Sequence, residues 1–398
     1  MKTDSNRSYE WIAKLVTALF CRFVINTARR FPYPFAPELS RNLNVPLTWI
    51  TSIIAVNQGM GFIGIFFGPF ADRLGYGVMM LVGMAFLAAG MFIAGFFGVY
   101  TMVFVGLVIS GLGKTLFDPS LQAYVGSRVP FEKRGLVVGL LELSWAASTL
   151  MGIPVVGYLM QQFGWRSPFL ILFVMGLFGI FAMGLILYKE KGSRPPPPST
   201  VGFRNLLKSI TDNRSSMGIM GFAFFVSAAN DHLFVVYGAW FEQSFQLNLV
   251  ALGFSTVVIG TAELFGEFIT AIFADRIGLK RSVLIGAVFS IVCYAMLPFL
   301  SKSLLSAFLG LFFVFLFFEF TIVSSLSLCT ELLPGNRGTM MAGYFGAAGL
   351  GRVIGALMGG PVWGRFGISG VVAVSTSSSI LATLFILWGL DNWEKSLS

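Results

Sequence analysis

The chain has 398 residues, of which 56% are hydrophobic and only 11% are charged, and its mean hydropathy is +0.81. Soluble domains carry about a quarter charged residues, so the composition excludes a soluble globular protein and indicates a polytopic membrane protein. The formal net charge of +9 is spread over the tails and loops, which leaves no patch for nucleic acid.

Twelve apolar runs follow one another along the chain, and each approaches the roughly 20 residues that a helix needs to cross a bilayer. We therefore predict an all-α integral membrane protein with twelve transmembrane helices. The runs cover residues 10–31, 49–70, 78–98, 101–125, 136–160, 166–188, 217–241, 250–272, 282–301, 303–329, 339–363 and 368–390. Basic residues concentrate in the N-terminal tail and in every second loop, so a multi-pass protein of the cell (inner) membrane with both termini cytoplasmic is predicted.

The first run carries a permanent cation, Arg22, which lies about 15 Å along the helix and so near mid-membrane. A charge there costs about 2.5–3.5 kcal/mol on insertion scales, so it is expected to face the protein interior or a wet cavity. Asn26 and Arg30 continue its face at four-residue spacing. We predict that these three residues contact the substrate; the alternative is a structural ion pair of Arg22 with Asp118 or Glu142.

The fourth and fifth runs add three more charges. Lys114 and Asp118 are four residues apart, so they share a helix face and a pair within the helix is possible. Glu142 lies on one face with Trp145 and Thr149. Lys114 and Glu142 are predicted substrate contacts and Asp118 a proton site, with a self-neutralised Lys114–Asp118 pair as the alternative.

A basic, proline-rich segment, "KEKGSRPPPPSTVGFRNLLKSITDNR", interrupts the apolar pattern at residues 189–214. Its charges keep it out of lipid, and its four consecutive prolines favour an extended chain. We predict an N-terminal six-helix bundle at 1–188, a cytoplasmic linker at 189–214 and a C-terminal six-helix bundle at 215–398.

The seventh run holds the only histidine of the chain, in "SAANDHLFVV". Asp231 beside His232 in a membrane segment suggests a pH-sensitive relay, and a satisfied core histidine is the alternative. Arg352, in the glycine-rich "GAAGLGRVIGA", is a predicted substrate contact.

Three carboxylic acids lie in the remaining runs. Glu263 and Glu267 are four residues apart, and two carboxylates so close in a low-dielectric site do not both ionise cheaply. One of them is expected to hold a proton, unless Glu267 is simply hydrated near the cytoplasmic end. Glu319 has almost no polar neighbours in sequence and is predicted to be a separate proton site.

The chain repeats itself: "FADRLG" begins at Phe70 and "FADRIG" begins at Phe273, a shift of 203 residues. The same shift aligns further glycines and arginines through five predicted helices. Two homologous six-helix halves, related by parallel duplication, follow from this register.

These features resemble the major facilitator superfamily, which has two six-helix halves, a basic central linker and the loop pattern G-x-x-x-D-R-x-G-x-x-(K/R) in each half. The resemblance implies twelve helices in two pseudo-symmetric bundles around a central cavity. A carboxylate near a helix N-terminus and a glycine that allows a tight turn would form a contact that one conformation makes and another breaks. The residues predicted to form this conformational latch are Gly68, Asp72, Arg73, Gly75, Asp275, Arg276 and Gly278.

"GIPVVGYL" in the fifth run resembles a degraded form of the proline-glycine signature of the superfamily's proton-driven antiporters, with Pro154 and Gly157 matching. We predict a secondary active transporter that moves a small organic solute by alternating access, by proton-coupled antiport (efflux). The alternatives are a proton-coupled symporter that imports an organic anion, a transporter-like sensor, and a lipid flippase.

The sequence shows no nucleophile elbow, phosphate loop or paired-cysteine metal motif. Neither an enzymatic activity nor a cofactor or metal is predicted. The predicted partners are a small-molecule substrate, protons and the lipid bilayer, without nucleic acid, and the protein is predicted to be a monomer.

Overall fold

The computed structural model describes residues 2–128, 141, 143–188, 213–332 and 337–391, and within these ranges the regular elements are helical. In chain order they are α1 Lys2–Arg30, α2 Ala36–Leu43, α3 Leu47–Leu74, α4 Tyr76–Phe97, α5 Tyr100–Arg128, α6 Leu143–Phe163, α7 Ser167–Tyr188, α8 Arg214–Phe234, α9 Tyr237–Phe245, α10 Leu249–Ile277, α11 Leu279–Leu300, α12 Leu304–Leu332 and α13 Arg337–Gly389.

Most of these helices are long enough to cross a membrane. In the described residues, nine segments combine the necessary length with enough apolar character. One of them, Met340–Gly389, has 50 residues and would be about 75 Å long as a single helix. It therefore makes two crossings, which are joined at Gly367, where the backbone leaves helical geometry (φ 60°, ψ −154°). With α1 and α3, the described part of the chain has twelve spanning helices, and the predicted fold class is confirmed.

The outer faces of the helices carry large apolar side chains. Phe96, Phe181, Phe268 and Phe299 are each more than half exposed. Such an apolar surface is unfavourable in water and is matched by lipid. This agrees with a chain that lies in a bilayer.

The duplication seen in the sequence is also present in the backbone. Helix α4 starts after Gly75 (φ 91°, ψ 144°), and α11 starts after Gly278 (φ 93°, ψ 134°). A positive φ of this kind is costly for any residue with a Cβ. The two glycines are 203 residues apart, so both halves make the same turn at the same place in the repeat.

The residues cluster into two compact units, of which the first comprises Met1–Val45, Met60–Ser199 and Leu249–Phe254. In it α4 packs on α5 and α7, and α1 packs on α5, α6 and α7. The start of α10 belongs to this unit because it approaches Gly157 of α6 closely. A Cβ on Gly157 would lie 2.6 Å from the carbonyl oxygen of Leu249, so no side chain fits there.

The second unit comprises Pro46–Gly59, Thr200–Asn248 and Ser255–Ser398. Its most extensive helix packing is between α8 and α13, and α11 packs on α12 and α13. Phe222, Val283, Ile322 and Tyr344 lie in its hydrophobic core. The start of α3 belongs to this unit because it packs against Gly360 of α13. A Cβ on Gly360 would lie 3.2 Å from the Cα of Thr48.

Two features differ from the sequence-based prediction. The seventh span is not one helix, because α8 ends at Phe234 and α9 begins at Tyr237; the two β-branched residues between them, Val235 and Val236, disfavour helix. The loop between α1 and α3 contains α2, which has a proline in its first turn, a position that tolerates proline.

The predicted division into bundles at 1–188 and 215–398 stays a prediction. Residues 189–212 of the predicted linker lie outside the described ranges.

Candidate functional site

Helix α1 presents Arg22, Asn26 and Arg30 to the interior of the first unit. All three side chains are buried, as their common helix face predicts. The neighbouring buried residues of α1 are small or apolar, including Cys21 and Ala28, so these polar groups need partners on other helices.

Helix α5 provides those partners. The Lys114 ammonium donates to Asp118 Oδ2 at 2.5 Å and to Asn26 Oδ1 at 2.6 Å. Arg22 Nε lies 3.6 Å from Asp118 Oδ1. The predicted Lys114–Asp118 pair is thus confirmed, and Asp118 is also the counter-ion of Arg22, so the structural alternative for Arg22 describes a real contact.

Helix α6 contributes an aromatic ring, that of Trp145, which contacts two of these cations. The Arg30 guanidinium carbon lies 4.3 Å from the centre of the Trp145 ring, and Lys114 Nζ lies 5.6 Å from it. A cation over a tryptophan ring gains about 0.5–2 kcal/mol, more when it is desolvated. We call Arg22, Asn26, Arg30, Lys114, Asp118 and Trp145 the Arg22 cluster.

A π-helical turn, Ser148–Gly152, begins three residues after Trp145. Single π-helical turns are rare in proteins, and those that occur are often found at functional sites. This one packs on α1 at Gly152, where a Cβ would overlap the Thr27 hydroxyl oxygen. The turn therefore fixes α6 against α1 about two helical turns beyond Trp145, and it had no signal in the sequence.

Among the described residues, the Arg22 cluster contains three buried or nearly buried cations and one carboxylate, Asp118. Arg29, partly buried on α1, also acts electrostatically on Lys114 and Asp118. The predicted contact Glu142 lies outside the described residues.

In the second unit, Arg352 of α13 approaches Asp231 of α8, with Nε and Oδ2 3.8 Å apart. Asp231 is the more buried partner, since its side chain is 5% exposed against 35% for Arg352. His232 is buried next to Asp231. The sequence predicted a role for each of these residues but did not predict the ion pair.

Glu263 and Glu267 lie on α10, with Glu263 buried and Glu267 half-buried. The role of Glu319 of α12 as a separate proton site stays a prediction. Glu319 lies against Gly266, where a Cβ would be 2.8 Å from the Glu319 Cβ. The close approach of α10 and α12 at this glycine brings Glu319 to the stretch that carries the other two carboxyls.

The predicted latch is described only in part. Gly75 and Gly278 form the two turns given above, and Arg276 is exposed. Gly68, Asp72 and Arg73 of α3 and Asp275 of α10 lie where side chains fall outside the described part of the structure. Their role as a latch stays a prediction.

Within the ranges that the structure describes, no three His, Cys, Asp or Glu side chains come together as a metal site. Cys21 and Cys329 are buried and Cys293 is half-buried, all as free thiols. Cys21 lies 3.8 Å from the Gly179 carbonyl oxygen, which indicates a packing role between α1 and α7.

Twelve spanning helices in two repeated halves, with charged groups buried at mid-helix, define a multi-pass membrane protein of the transporter class. The sequence model of the Major Facilitator Superfamily matches residues 18–356 and 219–395. The chain belongs to this superfamily and is one of its membrane transporters, as the resemblance in the sequence implied.

Two distant relatives align with nearly the full length of the chain. An uncharacterized MFS-type transporter, YwfA of Bacillus subtilis, is 25% identical over 373 residues, which cover 91% of this chain and 88% of the relative. A multi-drug resistance efflux pump PmrA homolog of Lactococcus lactis is 21% identical over 408 residues, covering 99% and 98%.

Solved structures show the same fold. A mutant of the peptide transporter POT in complex with alafosfalin superposes with a TM-score of 0.76 at 14% identity, covering 94% of this chain and 93% of that one. A bacterial homolog of the human lysosomal transporter Spinster, inward-facing and occupied, gives 0.75 at 13% identity and covers 97% of each chain.

Proposed function

We propose that the chain is a proton-coupled secondary transporter, which moves a small organic solute across the cell membrane by alternating access and binds it at the Arg22 cluster. The observation that carries this proposal is the cluster itself. Permanent cations are expensive at mid-membrane, and ionisable residues inside spans commonly mark substrate pathways; Arg22, Arg30 and Lys114 are all buried. This supports a solute site at the cluster, with Glu142 as a further proposed contact. Arg352 is proposed as a separate solute contact within the second unit.

The proton is proposed to bind at carboxyl groups within the spans. Asp118 belongs to the Arg22 cluster, Asp231 is paired with Arg352 beside His232, and Glu263, Glu267 and Glu319 lie on two helices that pack closely. Ionisable residues inside membrane spans commonly mark proton relays. Each of these groups is therefore a candidate to load and release a proton as its access to water alternates.

Two directions of transport have support. Relatives named as multidrug resistance efflux pumps, such as the PmrA homolog, favour efflux by proton antiport. The positive charge of the Arg22 cluster favours the second candidate, import of an organic anion together with protons.

We also propose the orientation, the oligomeric state and the conformational latch of the carrier. Both termini lie on the cytoplasmic side by the distribution of basic residues, a single chain performs transport, and the solute is moved without chemical change. The latch residues Asp72 and Asp275 would hold one conformation and release the other.

The test is solute flux in proteoliposomes that contain the purified protein and a pH-sensitive dye. Metabolites and antibiotics are added one at a time with and without an imposed pH gradient. We expect at least one solute to move protons, and Arg22→Gln to slow this flux at least about tenfold, equivalent to 1.4 kcal/mol.

Arg41→Gln is the matched control, because Arg41 is an exposed arginine of the same unit that is paired with Glu38. Its flux is expected to equal that of the unsubstituted protein. Flux that ignores the pH gradient for every solute would show that proton coupling is wrong. Equal flux in Arg22→Gln and Arg41→Gln would remove the Arg22 cluster as the site.

A further inference from the structure

We propose that an anionic phospholipid binds to the second unit where three helix ends meet, namely the start of α8, the start of α11 and the end of α13. Its phosphate contacts Arg214, Lys280 and Arg281, which we call the Arg281 site, and an acyl chain lies along the exposed face of α11. This inference goes beyond the proposed function and holds whatever the solute and the coupling ion are.

Direct contacts bring the three helix ends together. The Lys280 ammonium at the start of α11 donates to the carbonyl oxygen of Leu390. The Ser215 hydroxyl at the start of α8 donates to the carbonyl oxygen of Gly389 at 3.1 Å. A Cβ on Gly218 would lie 2.6 Å from the Gly389 Cα, so α8 and the end of α13 touch backbone to backbone. The last residues of α13 therefore lie between the starts of α8 and α11.

Two of the cations at this point are available to a ligand. A terminal guanidinium nitrogen of Arg214 lies 4.0 Å from Asp391 Oδ2, and both side chains are about half exposed or more, at 48% and 66%. Such an exposed ion pair is weak, so an incoming anion can share Arg214. Arg281 is exposed and has no hydrogen bond or ion pair within the described part of the chain.

The sequence around the Arg281 site is basic even when residues outside the described ranges are counted. The stretches 204–214, 273–283 and 389–398 together contain seven Lys and Arg residues and four Asp and Glu residues. Basic residues at a membrane surface attract anionic lipids, and they repel the ammonium group of a zwitterionic headgroup. In the proposed orientation this is the cytoplasmic side, whose leaflet carries the anionic lipids.

The internal repeat shows that the fold does not need these cations. The register of 203 residues places Gly77 and Val78 where the second half has Lys280 and Arg281. Both halves nevertheless make the same glycine turn and start the next helix after it. The shared scaffold therefore does not explain the positive charge at the start of α11.

A phospholipid fits this place better than a free phosphate because an apolar surface follows the cation on one helix face. Ile285, Val288, Phe289 and Val292 come four, seven, eight and eleven residues after Arg281, so they share its face of α11. Each is between 41% and 50% exposed. The stripe is about 16 Å long, which matches one half of the roughly 30 Å hydrocarbon core.

The test uses phosphatidylglycerol and phosphatidylcholine with the same two acyl chains, so that only the headgroup differs. The full chain, purified in detergent, is titrated with each lipid, and native mass spectrometry gives the apparent Kd of the first bound lipid. We expect phosphatidylglycerol to bind at least about fivefold more tightly, since one cation at a membrane surface contributes about this factor. Glycerophosphoglycerol, the same headgroup without acyl chains, should not displace it when added in excess.

Arg281→Gln should weaken phosphatidylglycerol binding about fivefold, and Arg281→Lys should restore most of it, because the contact is with a charge. Lys280→Gln combined with Arg281→Gln should bring phosphatidylglycerol close to phosphatidylcholine. Arg365→Gln is the matched control and should change nothing, because Arg365 is exposed and lies between the two crossings of α13, at the opposite end of the spans. Constant phosphatidylcholine binding in all variants shows that each of them is folded.

Equal affinity for the two lipids, or an equal loss in Arg281→Gln and Arg365→Gln, would overturn the inference. Displacement by glycerophosphoglycerol would overturn it as well, since the site would then hold a soluble phosphate. Glu394→Gln tests the remaining occupant, the chain's own C-terminal segment. A bound lipid requires unchanged affinity in this variant, whereas a gain of about fivefold would assign the site to that segment instead.

Discussion

Lys114 shows how one residue holds the candidate site together. It contacts a carboxylate, an amide oxygen and an aromatic ring, which come from α5, α1 and α6. A buried ammonium is tolerated only with such partners. The spacing of Lys114 and Asp118 predicted the first contact; the other two depend on which helices meet, and local spacing carries no such information.

Removing this cation should destabilise the first unit. We expect Lys114→Met to lower the free energy of unfolding by up to about 3 kcal/mol, because Asp118 keeps Arg22 but loses its closer partner. The double change Lys114→Met with Asp118→Asn should recover part of that loss, since the carboxylate is no longer charged. Unfolding in mixed detergent, followed by tryptophan fluorescence, measures both.

Lys302→Met serves as the control for this pair of variants, because Lys302 is exposed and its loss should change stability by less than about 0.5 kcal/mol. If the double variant were less stable than the single variant by the full cost of Asp118→Asn alone, the two side chains would not be coupled.

At the scale of the helix, the π turn of α6 decides which residues after it face α1. The hydroxyl groups of Ser148 and Thr149 donate to the Trp145 carbonyl oxygen at 2.6 and 3.3 Å, in competition with the regular backbone pattern of the helix. The extra residue in the turn shifts everything after it around the helix axis. A regular 3.6-residue period counted from Trp145 therefore could not predict that Gly152 packs on Thr27.

Gly152 allows this turn to pack closely on Thr27 of α1, and a larger residue should disturb that packing. We expect Gly152→Ala to cost about 1–3 kcal/mol, because its methyl group would overlap the Thr27 hydroxyl, and overpacking has a cost of this order. Thr27→Ala in the same chain should restore most of the stability, because it removes the overlapping atom. The same unfolding assay applies.

Gly184→Ala on α7 is the matched control, because nothing lies within 4 Å of where its Cβ would be. It should be neutral or slightly stabilising. If Thr27→Ala failed to rescue Gly152→Ala, the loss would come from the backbone of the π turn rather than from its packing on α1.

For the whole molecule, the repeat predicted more than any local pattern. One register of 203 residues predicted two homologous six-helix halves with the same glycine-containing loop in each, because a duplicated scaffold must fold the same way twice. The charged groups do not follow the repeat: Phe225 stands where the register places the equivalent of Arg22. The approach of Glu319 to Gly266 depends on how two distant helices slide against each other, so the sequence did not predict it.

The shared scaffold can be tested at Gly75 and Gly278, which have the same positive φ in the two units and have nothing within 4 Å of where a Cβ would lie. Alanine at either site should therefore cost only the backbone strain, about 1–2 kcal/mol, and the two losses should be equal. The double variant should lose their sum to within about 0.5 kcal/mol, since the sites share no partners. Gly346→Ala, in open space on a regular stretch of α13, should lose nothing. A large loss at Gly278 with none at Gly75 would mean that the two halves do not use their common turn in the same way.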